Sequence, residues 1–232
     1  MPPSLTGPRI APRSGQTKRL VVFLHGYGAD GNDLIEIGRQ WQAWLPDTAF
    51  FAPNAPEMVP QSMGRQWFPL TFRDPHERWR GVNHAGPTLD ALLDAELVRH
   101  GLSLARMALV GFSQGTMMAL HVGLRRAQAP AAIVGYSGLL VWEEGAGPDG
   151  LKAQMRARPP ILLAHGDQDE VIPLDALFLS AEALAAADAP CEWHLSLGVG
   201  HGIDAAGLRH GGLFLARAFG LPYPKSLTSA RL

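Results

Sequence analysis

Apolar residues gather along this chain in short runs, most of them continuous: Leu20–Leu24, Ala49–Ala52, Met107–Val110, Ala132–Tyr136, Ile161–Ala164 and Cys191–Leu197. A strand wetted on one face alternates apolar and polar side chains. A run that is apolar throughout predicts a strand buried on both faces, as in a parallel sheet. Between the runs the period becomes helical. "GPTLDALLDAELVRHG" puts Leu89, Leu92, Leu93 and Leu97 on one face, with Pro87 near the start and Gly101 just past the end. "PLDALFLSAEALAAADAP" and "DAAGLRHGGLFLARAFG" predict two further helices, the second weakened by Gly211 and Gly212. Strands alternating with helices predict the α/β class: a mostly parallel central sheet with helices on both faces. No repeat or linker divides the 232 residues, so a single domain over 1–232 is expected, with 1–18 a loose lead-in.

One region breaks the pattern. Residues 54–83 show no strong period, yet they hold Met58, Met63, Trp67, Phe68, Phe72 and Trp79. A long irregular excursion in a compact domain is either a functional loop or a surface segment held down by its aromatics, and it can be both. Its apolar side chains would serve a substrate mouth or a homodimer contact.

Composition narrows the classes. Apolar residues make up 47% and charged residues 18%, as in a globular chain. A net charge of −1 with no basic run argues against a nucleic-acid partner. No apolar run approaches the roughly 20 residues of a membrane span. The first twenty residues lack the apolar core of a signal peptide, so a cytoplasmic location is the expectation. Cys191 is the sole cysteine, which excludes an intrachain disulfide; a core position in a strand is expected for it.

The candidate chemistry centres on "RMALVGFSQGTMMAL", residues 106–120, where Gly111-Phe112-Ser113-Gln114-Gly115 joins a strand to a helix. Gly-x-Ser-x-Gly in that context is a nucleophile elbow, a sharp turn that projects the serine hydroxyl from the sheet edge. The alternative is an ordinary junction with a capping serine. A serine hydroxyl needs a general base, and in this architecture the order is serine, acid, histidine. His194, His201 and His210 come late enough in the chain. His194 lies in a strand pattern and His210 in a helical one, whereas His201 lies in "LGVGHGID", a glycine-rich loop placed to reach the serine. For the acid, "HGDQDEVIP" offers Asp167, Asp169 and Glu170, and spacing does not choose among them. Donors for a developing oxyanion would come from the backbone N–H of Gln114 and from the loop His25-Gly26-Tyr27-Gly28. That loop lacks the glycine spacing and lysine of a phosphate cradle. His25 and His165 end strands and read as structural. No His/Cys/Asp cluster has ligand spacing, so neither a metal nor another cofactor is expected. Val171 and Ile172, with the apolar excursion residues Met63, Trp67 and Phe68, would line an acyl slot.

Taken in order, "LHGYGADGNDL", "PNAPE", "GRQWF", "GFSQGT", "HGDQDEVIP" and "GVGHGI" resemble the phospholipase/carboxylesterase family, which contains bacterial carboxylesterases and acyl-protein thioesterases. The resemblance runs from about Leu20 to Phe219. It implies an α/β-hydrolase fold without a large cap domain. It also implies Ser113 as nucleophile, Asp169 as triad acid, His201 as base, backbone N–H groups of Tyr27 and Gln114 as the oxyanion hole, and Trp67 by the substrate entrance. Thr116 stands where many members have a second glycine and Tyr27 where many have leucine. The expected activity is hydrolysis of short-to-medium acyl esters by a serine carboxylesterase, acting on a small-molecule ester. The same triad would serve an acyl-thioester or lysophospholipid hydrolase. A non-catalytic binding protein on a hydrolase fold is the reading from another class.

Overall fold

The structure is a computed structural model that describes residues 5–71, 73–74, 76–143 and 145–222. Seven strands form the main sheet: β1 (Arg9–Ile10), β2 (Arg19–Leu24), β3 (Thr48–Phe51), β6 (Met107–Phe112), β7 (Ala132–Tyr136), β8 (Ile161–Gly166) and β9 (Glu192–Ser196), in the order β1-β3-β2-β6-β7-β8-β9. All neighbours are parallel except β1, which runs antiparallel to β3. Helices α1 (Asn32–Trp41) and α6 (Ala205–Ala218) cover one face; α2 (Glu77–His100), α3 (Gln114–Arg125) and α5 (Asp175–Ala186) cover the other. A short α4 (Gly147–Gln154) packs beside α5.

The unbroken apolar runs divide by parity. Leu20, Val22 and Leu24 of β2, with Met107 and Leu109 of β6, face α2, α3 and α5. Val21 and Phe23, with Ala108 and Val110, face α1 and α6. Successive side chains of a strand point to opposite faces, so a strand sandwiched between two helical layers must be apolar at every position. The edge strand β9 differs: Trp193 is exposed and the strand is only partly buried.

Several expectations need correction. Pro87 lies inside α2, which begins at Glu77 and so claims the end of the excursion. Gly81 makes this packing possible, since a Cβ there would sit 2.2 Å from the Phe68 ring. The rest of the excursion carries a small hairpin, β4 (Glu57–Met58) with β5 (Arg65–Gln66); Phe72 lies outside the described residues. The lead-in is tied down from Leu5 onward: Ile10 is buried, and Arg9 makes a double hydrogen bond to the Glu96 carboxylate. Gly211 and Gly212 suit α6, because side chains there would strike the Tyr136 hydroxyl and the rings of Trp41 and Trp44. Cys191 is half-buried and precedes β9 by one residue; burial pushes its thiol up to about 11. Among the described residues no helix is long and apolar enough to cross a membrane.

Candidate active site

Ser113 stands between β6 and α3 with φ +52° and ψ −115°, in a region that L-residues rarely occupy. The turn holds because everything around it fits closely. Ser113 N–H donates to Tyr136 O, and Ser113 O accepts from the N–H groups of Thr116 and Met117. A Cβ on Gly115 would lie 1.8 Å from Leu24 O, and one on Gly111 2.4 Å from Thr116 N. The two glycines are thus required by close backbone approach, and the strain is a property of the junction. Thr116 is buried with its hydroxyl on Tyr136 O, and its methyl group fills the space left open by Gly135 and Gly138.

Of the candidate acids, Asp169 meets a candidate base. Its Oδ2 accepts from His201 Nδ1 at 2.7 Å. Its Oδ1 accepts from the N–H groups of Val171 and Ile172, both at 2.9 Å. The carboxyl group has no exposed surface, and these donors replace the water it has lost. Asp167 instead accepts from Gly198 N–H and helps fasten the loop that carries His201, while Glu170 is exposed. Asp204 holds the far end of that loop: its Oδ1 caps α6 at Gly207 N–H and accepts from Ser196 Oγ. His194 and His210 stack on each other at 4.5 Å.

Ser113 and His201 stand at the same sheet edge, after β6 and β9. The ring of Phe112, next to Ser113, lies 5.0 Å from the His201 imidazole. Ser137, after β7, donates from Oγ to Gly202 O. Phe112 and His201 share a groove of about 390 Å³ with Asp33, Leu34, Ile37, Gly202, Ile203 and Leu208.

The loop after β2 comes close on the other side, where a Cβ on Gly26 would sit 3.3 Å from Ser113 Cβ. Around Tyr27 the loop is pinned, since Gly28 N–H donates to Arg65 O and Ala29 N–H to Gly26 O. His25 sits beneath it. Ala55 N–H donates to its Nε2, so Nδ1 carries the proton and donates to Gly26 O. Burial lowers its pKa, in keeping with a neutral structural imidazole.

The residues expected to line the acyl slot separate. Met63 is 91% exposed at the hairpin and Val171 52% exposed beside Asp169. Trp67 and Phe68 are 1% and 0% exposed, so they form the floor of the excursion and offer no open surface. Trp67 Nε1 donates to His25 O. Ile172 is also buried and works through its backbone. Two features escaped the sequence. The Gln114 side chain, not only its N–H, has a role: Oε1 accepts from Trp67 N–H and Nε2 donates to Phe68 O. A second groove of about 310 Å³ opens after β7 among Trp79, Leu139, Leu140, Val141 and Trp142. The unbroken apolar "LLVW" beyond β7, outside any predicted strand, was its available signal.

A parallel sheet with helices on both faces and a strained serine elbow, with a paired Asp and His at the same edge, defines an α/β-hydrolase of the serine hydrolase class. The model of the phospholipase/carboxylesterase family matches residues 5–217, and the chain belongs to that family. Among solved structures, esterase PE8 is 41% identical, covering 93% of this chain and 99% of its own, with a TM-score of 0.87. Acyl-protein thioesterase 1 of Gibberella zeae is 25% identical over 84% of this chain and 88% of its own length. Esterase YpfH of Escherichia coli is 25% identical over 81% and 77%.

Proposed function

We propose that the chain is a serine carboxylesterase acting through an acyl-enzyme, with Ser113 as nucleophile, His201 as general base and Asp169 as its orienting acid. The observation that carries this reading is the 2.7 Å contact between Asp169 Oδ2 and His201 Nδ1 at the sheet edge where Ser113 is held at φ +52°. Asp169 accepts a hydrogen bond from Nδ1–H, which leaves the lone pair of His201 on Nε2 to act as the base. His201 takes the Ser113 proton as Oγ attacks the ester carbonyl. The N–H groups of Tyr27 and Gln114 receive the oxyanion, a contribution of about 3–4 kcal/mol per donor in comparable sites. Gln114 opens α3, and an N–H at the first helical position has no intrahelical acceptor. The imidazolium then protonates the leaving alcohol, and water repeats the sequence to release the acid.

The substrate reading is a small, neutral ester with a short-to-medium acyl chain. Val171, exposed beside Asp169, and the groove along Leu139–Trp142 support an apolar acyl partner. Ser113→Ala is expected to abolish p-nitrophenyl ester hydrolysis and fluorophosphonate labelling while leaving circular dichroism unchanged. Retained turnover would remove Ser113 from the role. The likeness to a protein named acyl-protein thioesterase favours acyl thioesters as the second reading. A p-nitrophenyl chain-length series run beside an acyl-CoA separates the two. Rates that climb steadily to palmitoyl would overturn the short-chain preference.

A further inference from the structure

We propose that His165 is a positioning residue for the Asp169–His201 pair, bonding its ring N–H to the Ile172 carbonyl and holding that N–H dipole beside the carboxylate oxygen that meets the base. The proposal rests on the triad reading above. His165 is in β8, and its side chain is 1% exposed. Its Nε2 lies 2.8 Å from Ile172 O and 3.3 Å from Asp169 Oδ2. A carbonyl oxygen can only accept, so Nε2 must carry the proton. That proton is bonded to Ile172 O, and Oδ2 lies beside the same nitrogen as a longer contact. Asp169 thus accepts three N–H groups, Val171 and Ile172 on Oδ1 and His201 on Oδ2, with the His165 ring nitrogen 3.3 Å from Oδ2.

Two bonds and one contact close a circuit. Ile172 gives its N–H to Asp169 Oδ1 and receives His165 at its carbonyl, while His165 also reaches Asp169. The carboxylate cannot rotate away from His201 without breaking contacts on both oxygens. The N–H dipole held beside Oδ2 also limits its basicity, which keeps the shared proton on His201.

The test compares His165→Gln with His165→Leu. Gln can place an amide N–H near the position of Nε2; Leu fills volume and donates nothing. In the Leu variant kcat is expected to fall roughly five- to tenfold, the worth of one buried hydrogen bond, with KM little changed. The acid limb of kcat/KM should move to higher pH, because a carboxylate without that N–H dipole beside it stabilises the His201 imidazolium more strongly. The Gln variant should keep at least about half of the wild-type kcat by the same reasoning. The other charged groups near the pair are Asp33 across the groove on α1, Asp167 and Glu170 beside Asp169, and Asp204 at the start of α6. All are the same in both variants. A Leu variant with wild-type kcat and an unmoved acid limb would overturn the proposal. So would a Gln variant as impaired as Leu with the limb unmoved. If Leu does not fold, nitrogen-detected NMR of the wild-type protein decides: His165 must carry its proton on Nε2, and a lone pair there sinks the idea. A wild-type protein inert to esters and to fluorophosphonate overturns the triad reading instead, while the tautomer measurement still judges His165.

Discussion

Gln114 shows how one side chain can serve the elbow and the excursion together. Its backbone begins α3 beside Ser113, and its fully buried amide bonds Trp67 N–H and Phe68 O. Trp67 in turn holds His25, which underlies the loop of Tyr27. Gln114→Met removes both amide bonds and strands a buried donor and acceptor, each costing about 1–3 kcal/mol. Urea unfolding should show a loss of roughly 2–4 kcal/mol, and ester kcat should drop by about tenfold as the oxyanion loop loosens. Gln114→Glu should fare no better, since a carboxylate cannot donate to Phe68 O; a stable, fully active Glu variant would contradict the clamp. Ser113, His201 and the glycine-rich loop after β2 were legible as residue types in a recognisable order. The clamp was not, because its partners are backbone groups 46 and 47 residues away and backbone groups carry no sequence signature.

The least legible elements are α2 and the hairpin before it. Local propensity reads Gly81, Gly86 and Pro87 as breakers, yet the helix continues through all three. Tertiary packing overrides the propensity: Gly81 admits the Phe68 ring and Gly86 lies against His121 of α3. His121 is buried in this interface, edge-on to Trp79, with Nδ1 unpartnered. Burial first, and Arg125 second, lower its pKa from 6.5 to about 3. The unfolded chain therefore binds a proton near pH 6.5 that the folded chain refuses until about 3. Stability from this group is complete above pH 6.5 and falls as the pH drops through that window. Between pH 7 and 4.5 the loss should be about 2–3 kcal/mol. His121→Leu should flatten that part of the pH–stability curve in urea titrations. An unchanged slope would mean that His121 is protonated in the folded state.

Across the whole molecule, the first described residues close the far side of the sheet. Arg9 of β1 lies 3.6 Å above the Phe51 ring and pairs with Glu96 near the end of α2. Glu96 is buried, and Arg99 and His100 approach it only at 3.8 and 3.7 Å. Arg9→Met should therefore lower stability by roughly 1–3 kcal/mol, part of the cost of leaving a buried carboxylate short of its partner. Calorimetry should register the loss without a change in kcat, since the pair is remote in the sheet order from β6 and β8. A variant as stable as the wild type would show the lead-in to be dispensable, as its composition suggested.

The sequence by itself determined the fold class and the order of the chemistry. Runs apolar at every position require a sheet covered on both faces, and Gly111 and Gly115 around Ser113 require a junction too close for side chains. It also supplied three acids in one loop without choosing among them by spacing. Tertiary structure made that choice geometrically, because hydrogen-bond partners are set by direction: Asp169 turns to His201, Asp167 to the loop backbone, and Glu170 to solvent. It likewise decided that Trp67 and Phe68 are floor and that Met63 is surface. Apolarity states that a side chain prefers to leave water, while only the assembled neighbours determine whether it finds a core, a groove or nothing to cover it.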